Sequence, residues 1–225
     1  MLKIGFHVSI VGSIDEAVDR AVELGCNTFQ VFTRNPRSWR TEKLKTGEIK
    51  AFIEKVEKFD MQPVFAHMPY LANLASPKED VYSKSVKTLK TELDRCRVLK
   101  IPYLVTHLGS HLGAGKNVGF QRIIRAIDEA YSSLNDEVTL LLENTAGTRN
   151  SMGGSFEDIR YIISNLRFPK HVGVCFDTAH GYAAGYDLRT PAAVEETIRR
   201  FDETIGFEKL CLVHLNDSRG GLGSH

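Results

Sequence analysis

The sequence predicts an α/β protein of repeated βα units, a parallel sheet or (β/α)8-type barrel forming one domain over residues 1–225. Three observations predict it. Short, almost continuously apolar runs recur along the chain, which suits strands buried on both faces of a parallel sheet. Amphipathic stretches of helical period separate them. Five of the runs end in a histidine, aspartate or glutamate, and these five stand 34 to 40 residues apart, about one βα unit each.

The first run is KIGFHV (3–8), followed by SIDEAVDRAVELG (13–25). There Ser13 is placed to cap a helix, Glu16 to complete a capping box, and Gly25 to end the helix. The second run, NTFQVF (27–32), leads into a stretch from Thr33 to Lys50 that carries Arg34, Arg37, Arg40, Lys43, Lys45 and Lys50. Such a basic segment can contact phosphates at the mouth of a barrel, or it can be an ordinary solvated loop. QPVFAH (62–67) is the third run, and KSVKTLKTELDRCRVLK (84–100) reads as the next helix. PYLVTH (102–107), VTLLLE (138–143), HVGVCFD (171–177) and KLCLVH (209–214) complete a set of seven, with SFEDIRYIISNL (155–166) as a further helix. A closed barrel of this kind has eight strands. The chain after His214 is only LNDSRGGLGSH, so the last βα unit is expected to be missing and the domain to be C-terminally incomplete.

Composition is that of a soluble globular protein, with 42% hydrophobic and 25% charged residues. Twenty-nine Lys plus Arg against 28 Asp plus Glu leaves a formal net charge of +1, which neither requires nor excludes a nucleic-acid partner. Cys26, Cys96, Cys175 and Cys211 are scattered without a C-x-x-C pair, so a reducing compartment fits better than a disulfide framework. Cys175 and Cys211 read as small buried hydrophobes. No signal-peptide pattern or membrane-length apolar run is present, and the expected location is cytoplasmic.

The strand ends carry the chemistry. His67, His107, Glu143, Asp177 and His214 each close an apolar run, and His7 falls near the end of the first. Parallel strands put all their C-termini on one face, where barrel enzymes build their sites. One such residue would usually be a hydrogen-bonded structural group. Gathering five is costly unless something compensates the buried carboxylates, and a cation does so. Histidine with Asp/Glu and no Cys suits zinc, manganese or iron in an open, catalytic site. Asp177 lies in DTAHG, which brings His180 close behind it; helix capping is the competing role for that pair.

The segments GFHVS (5–9), VFTRNPRSW (31–39), AHMPYLANLASP (66–77), VTHLGSH (105–111), LLENTAG (141–147), CFDTAHGYAAGYD (175–187) and VHLNDS (213–218) resemble the endonuclease IV family, in order and at matching spacing. The resemblance implies a TIM barrel that uses three zinc ions to cut DNA on the 5′ side of abasic sites. A zinc-bound hydroxide is the implied attacking group, and a 3′-hydroxyl and a 5′-deoxyribose phosphate are the products. It implies one zinc held by His67, His107 and Glu143, a second bridged by Glu143 and bound by Asp177 and His214, and His180 as a ligand of the third. Glu143 is thereby the residue assigned to catalysis, and Arg37, Tyr70 and Leu71 are expected to enter the duplex at the lesion. Tyr70 and Leu71 also admit a packing role under the His67 loop. The family's later ligands, an Asp-x-His pair and a glutamate, have no counterpart in these 225 residues, so this form is expected to bind metal incompletely and to be impaired. The implied partner is double-stranded abasic DNA, with no membrane, no organic cofactor and a monomeric state. A divalent-metal sugar isomerase or epimerase on the same barrel is the alternative, and a non-catalytic metal- or DNA-binding module is a second.

Overall fold

A computed structural model of the chain describes residues 2–132 and 138–225. The chain divides into two compact units. One is drawn mainly from Met1–Ala72 and Lys87–Val105, the other from Asn73–Val86, Thr106–Ser133 and Leu140–His225.

In the first unit, β1 (Phe29–Val31), β2 (Val64–His67) and β3 (Tyr103–His107) run parallel, with Phe29 opposite Val64 and Phe65 opposite Tyr103. The strands fall inside the expected runs, and β1 and β2 are buried throughout. Helix α1 (Glu16–Glu23) packs beside α2 (Thr46–Lys58), and Phe29 meets Phe52 of α2 edge-on at 6.2 Å. α3 (Glu79–Val98) fills the place expected for the helix before β3.

Two expectations are corrected here. Segment 3–8 joins β1 only as an isolated parallel bridge between His7 and Gln30. Backbone bonds Val8 N–Gln30 O (2.8 Å) and Gln30 N–Phe6 O (3.0 Å) hold it alongside, and Gly5 lies so close to Thr28 that a Cβ there would strike its carbonyl. Leu2, Ile4 and Phe6 remain exposed, so the run is not buried on both faces. Nor does Ser13 cap α1. The cap position is Asp15, with no side-chain cap bond. Ser13 instead donates to the Asp15 carboxylate, Lys55 of α2 binds that carboxylate at 2.8 Å, and Glu16 pairs with Arg20. Gly25 does follow the helix with φ of 71°.

The second unit holds α4 (Lys116–Tyr131), β4 (Thr139–Glu143), α5 (Phe156–Ser164), β5 (Val172–Asp177), α6 (Thr178–Ala183), α7 (Pro191–Thr204) and β6 (Leu210–His214). β4, β5 and β6 are parallel neighbours, with Glu143 opposite Cys175 and Asp177 opposite His214. The Ser155 side chain caps α5 by accepting from Asp158 N, and Thr190 caps α7 ahead of Pro191. Phe156 stacks on Tyr186 at 4.0 Å and meets Phe201 edge-on, tying α5 to α7. At Gly173 an added Cβ would press on Cys211 Sγ and Leu141, so only glycine lets β5 lie this close to its neighbours. Cys175 is fully buried as expected; Cys211 is only partly so, because β6 is half-exposed along its length. Among the described residues no helix is long and apolar enough to cross a membrane.

Candidate metal centre

Five of the predicted ligands lie in the second unit, within Thr106–Ser133 and Leu140–His225. Glu143 ends β4, Asp177 ends β5 and His214 ends β6, while His107 closes β3 and His180 lies in α6. The two carboxylates are 2% exposed, whereas His107 and His180 keep about a third of their side chains in solvent. The imidazoles thus form the accessible side and the negative charge lies beneath it.

Glu143 is the hub. Its Oε1 accepts from His214 Nδ1 at 3.0 Å and lies 3.6 Å from His180 Nδ1; its Oε2 lies 3.6 Å from His107 Nδ1. Asp177 Oδ1 is 3.7 Å from His180 Nδ1, and Oδ2 is 3.9 Å from His214 Nδ1. Ligand atoms of Glu143, Asp177 and His180 all fall within 4.8 Å of one another, a spacing that one cation can span. Burial alone would push His214 below the ordinary imidazole value. The hydrogen bond to Glu143 and the charges of Glu143 and Asp177 outweigh it and leave the ring raised.

Helix capping and ligation at DTAHG are not exclusive. Asp177 caps α6, with Oδ1 accepting from His180 N at 2.8 Å, while the same oxygen stays in the cluster. His180 Nδ1 also lies 3.0 Å from the Asn144 carbonyl, which can only accept; the proton therefore belongs on Nδ1 and the lone pair on Nε2.

Two orienting residues were missed in the sequence. Asn144 clamps the Asp177 backbone, donating from Nδ2 to Asp177 O (3.0 Å) and accepting at Oδ1 from Asp177 N (2.6 Å). Asn216 donates from Nδ2 to Asp177 Oδ2 at 2.6 Å. Their signal was position: Asn144 follows Glu143 directly, and Asn216 lies two residues after His214, inside the blocks that carried the resemblance.

The first unit holds the remaining predicted residues. His67 ends β2, 5% exposed, with Nδ1 2.7 Å from the Met68 carbonyl, so this ring too presents Nε2 as its lone-pair nitrogen. Phe32 lies edge-on to His67 at 5.5 Å, and His7, joined to Gln30 at 2.9 Å, is 6.4 Å away between ring centres. Tyr70 is 59% exposed and Leu71 38%, which removes the core reading for both. Tyr70 N bonds to the Pro36 carbonyl at 3.1 Å, tying it to the turn that carries exposed Arg37. Arg34, counted in the basic stretch, is instead buried in an ion pair with Glu92 at 2.7 Å and adds nothing to a solvent-facing patch.

Comparison with known proteins decides the family. Residues 18–225 match the family model for the xylose isomerase-like TIM barrel. A protein of Nitrosopumilus maritimus described as probable endonuclease 4 is 51% identical over 224 residues, which is 99% of this chain and 80% of that relative.

The chain belongs to the endonuclease IV family.

The crystal structure of endonuclease IV from Thermus thermophilus agrees, at 35% identity and a TM-score of 0.88, over 99% of this chain and 79% of that one. The α/β TIM-barrel fold class expected from the βα repeat is thereby established. A D-tagatose 3-epimerase-like protein shares the fold at 22% identity and a TM-score of 0.74, covering 99% of this chain and 79% of that one. That likeness speaks for the barrel and not for sugar chemistry.

Proposed function

We propose that this endonuclease IV family chain is a metal-dependent hydrolase that cuts the DNA phosphodiester 5′ to abasic sites, leaving a 3′-hydroxyl and a 5′-deoxyribose phosphate. The observation that carries the reading is the pair of buried carboxylates, Glu143 and Asp177, ringed by the partly exposed imidazoles of His107, His180 and His214.

The donor set fits a cation. Two buried carboxylates beside three imidazoles supply oxygen and nitrogen ligands without thiolate, the set that zinc takes in open catalytic sites. Asn144 and Asn216 hold Asp177 in place, as outer partners of metal ligands do. Zinc bound there would act as a Lewis acid on the phosphate and lower the pKa of water. Glu143, reached by three imidazoles, would hold the cation together with Asp177, His214, His180 and His107 of this unit, and the motif match assigns His67 to the same set.

The chain's own residues account for the rest. The imidazoles face the solvent side and stand between an approaching anionic phosphate and the buried carboxylates. Arg37 supplies a cation for the DNA backbone, and exposed Tyr70 and Leu71 supply stacking and wedging surface where a missing base makes unstacking cheapest. The partner is abasic duplex DNA, the acting form is a monomer in the cytoplasm, and no organic cofactor is needed. The test is incision of a duplex with one abasic analogue: it should stop with chelator and resume with zinc.

A further inference from the structure

The first unit contains a charged cluster that the metal chemistry does not use. Glu92 of α3 is fully buried, and two arginines, Arg34 and Arg95, are buried with it at 6% and 8% exposure. Arg34 Nε stands 2.7 Å from Glu92 Oε1, and Thr33 Oγ1 donates to Glu92 Oε2 at 2.6 Å. Arg95 Nε donates to Thr33 Oγ1 at 2.8 Å. Burial pushes the Glu92 carboxyl up and the Arg95 guanidinium down, so each charge depends on its partners.

The guanidiniums spend their other donors on one segment. Arg34 Nη1 donates to the carbonyls of Trp39 (3.2 Å) and Arg40 (3.5 Å) and to Thr41 Oγ1, and Nη2 reaches Thr88 Oγ1 at 3.3 Å. Arg95 Nη1 donates to the Glu42 carbonyl at 2.8 Å, and Nη2 to the Thr33 carbonyl. Both feet of the turn, Thr33 and residues 39–42, are therefore clamped to α3. Residues 35–38 project between them, carrying Arg37, and Pro36 O receives the Tyr70 amide at 3.1 Å. The planar guanidinium holds its five donors in one rigid fork, which fixes the geometry of the carbonyls it grips more firmly than a lysine's flexible ammonium would.

We propose that Glu92 is a positioning residue for DNA binding: through Arg34 and Arg95 it fixes the 33–42 turn so that Arg37 and Tyr70 are presented together. The proposal rests on the reading that this turn touches DNA. Breaking a buried ion pair by removing one partner leaves the other charge uncompensated, so loss of the Glu92 charge should loosen the turn.

Trp39, the one tryptophan in the sequence, sits on the clamped foot and reports on it directly. The experiment compares the full chain, Glu92→Gln, Thr41→Val and Arg37→Ala by acrylamide quenching of Trp39, by affinity for an abasic duplex and by turnover at saturating duplex. In Glu92→Gln the quenching constant should rise at least about twofold as the turn opens. Duplex affinity should weaken about tenfold, with saturated turnover held within about threefold. Thr41→Val, which removes only the exposed acceptor of Arg34, should shift quenching and affinity in the same direction by less. Wild-type quenching in folded Glu92→Gln overturns the clamp; if that variant does not fold, wild-type quenching in Thr41→Val does so. Raised quenching with unchanged affinity, while Arg37→Ala loses affinity, overturns the role of Glu92 in binding. Unchanged affinity in Arg37→Ala overturns instead the reading that the turn meets DNA, and leaves the clamp standing on its quenching signal.

Discussion

Glu143 Oε1 accepts from His214 Nδ1 across 3.0 Å, joining the end of β4 to the end of β6 over the intervening β5. The two residues are 71 positions apart in sequence, and only parallel strands in this register bring them together. A proton occupies the same side of Glu143 that a cation would claim.

Removing the Glu143 charge should therefore separate metal binding from folding. Glu143→Gln keeps the size and one acceptor. Metal affinity should fall beyond the roughly 10–100-fold typical of losing an outer partner, and incision should vanish with it. Above the pH at which folded His214 gives up its proton, metal-free stability should rise by about 1 kcal/mol, because one of two neighbouring buried carboxylates is gone. Metal content by mass spectrometry and chemical denaturation with chelator present check the two halves.

The orienting asparagines give a graded prediction. Asn144→Ala strips both backbone partners from buried Asp177 and should cost about 1–3 kcal/mol in stability. Asn216→Ala removes only the bond to Asp177 Oδ2 and should spare the fold. Both should weaken metal binding about 10–100-fold, read by competition with a chromophoric chelator.

Metal affinity should rise with pH. Without metal, folded His214 holds its proton more tightly than the unfolded chain, because Glu143 and Asp177 outweigh its burial. That contribution to stability is complete below the ordinary imidazole value of 6.5 and is lost as pH rises through the raised one. A ligating imidazole must give up this proton, so zinc affinity should climb through and above pH 6.5. Zinc competition titrations at several pH values measure it, and a flat profile would contradict the His214 assignment.

Cysteine reactivity should follow burial. Burial pushes the Cys96 and Cys175 thiols well above the ordinary value. Under native conditions iodoacetamide should label partly exposed Cys26 first and leave Cys96 and Cys175 unmodified until the chain unfolds. Peptide mass spectrometry over a labelling time course checks the order.

Tyr70→Ala should weaken binding to abasic duplex by about 1–3 kcal/mol, the range for base–aromatic stacking. The 59% exposed ring should leave thermal stability almost unchanged. Unchanged duplex affinity would return Tyr70 to its contact with Phe32.

Much of this was legible in the sequence because a parallel strand has one chemical end. Apolar runs closing in His67, His107, Glu143, Asp177 and His214 located β2 to β6, and the structure places each residue at its strand end. What stayed hidden was set by partners distant in sequence. Segment 3–8 has the composition of a strand, yet its pairing is a single bridge with an exposed outer side. Ser13 obeys the capping rule locally, but Lys55 of α2 draws Asp15 into another arrangement. Arg34 looked like one more surface cation, since nothing near it in sequence announces Glu92, 58 residues on. Asn144 and Asn216 stood in view inside quoted motifs, but their role depends on Asp177, which belongs to a different strand.

The most direct test of the central claim is incision of a labelled duplex bearing one abasic analogue by the zinc-loaded chain, with Glu143→Gln alongside. A single cut 5′ to the lesion with a 3′-hydroxyl end is expected, abolished by chelation and absent in Glu143→Gln. An intact duplex from folded, zinc-loaded chain, or turnover of a ketohexose in its place, would contradict it.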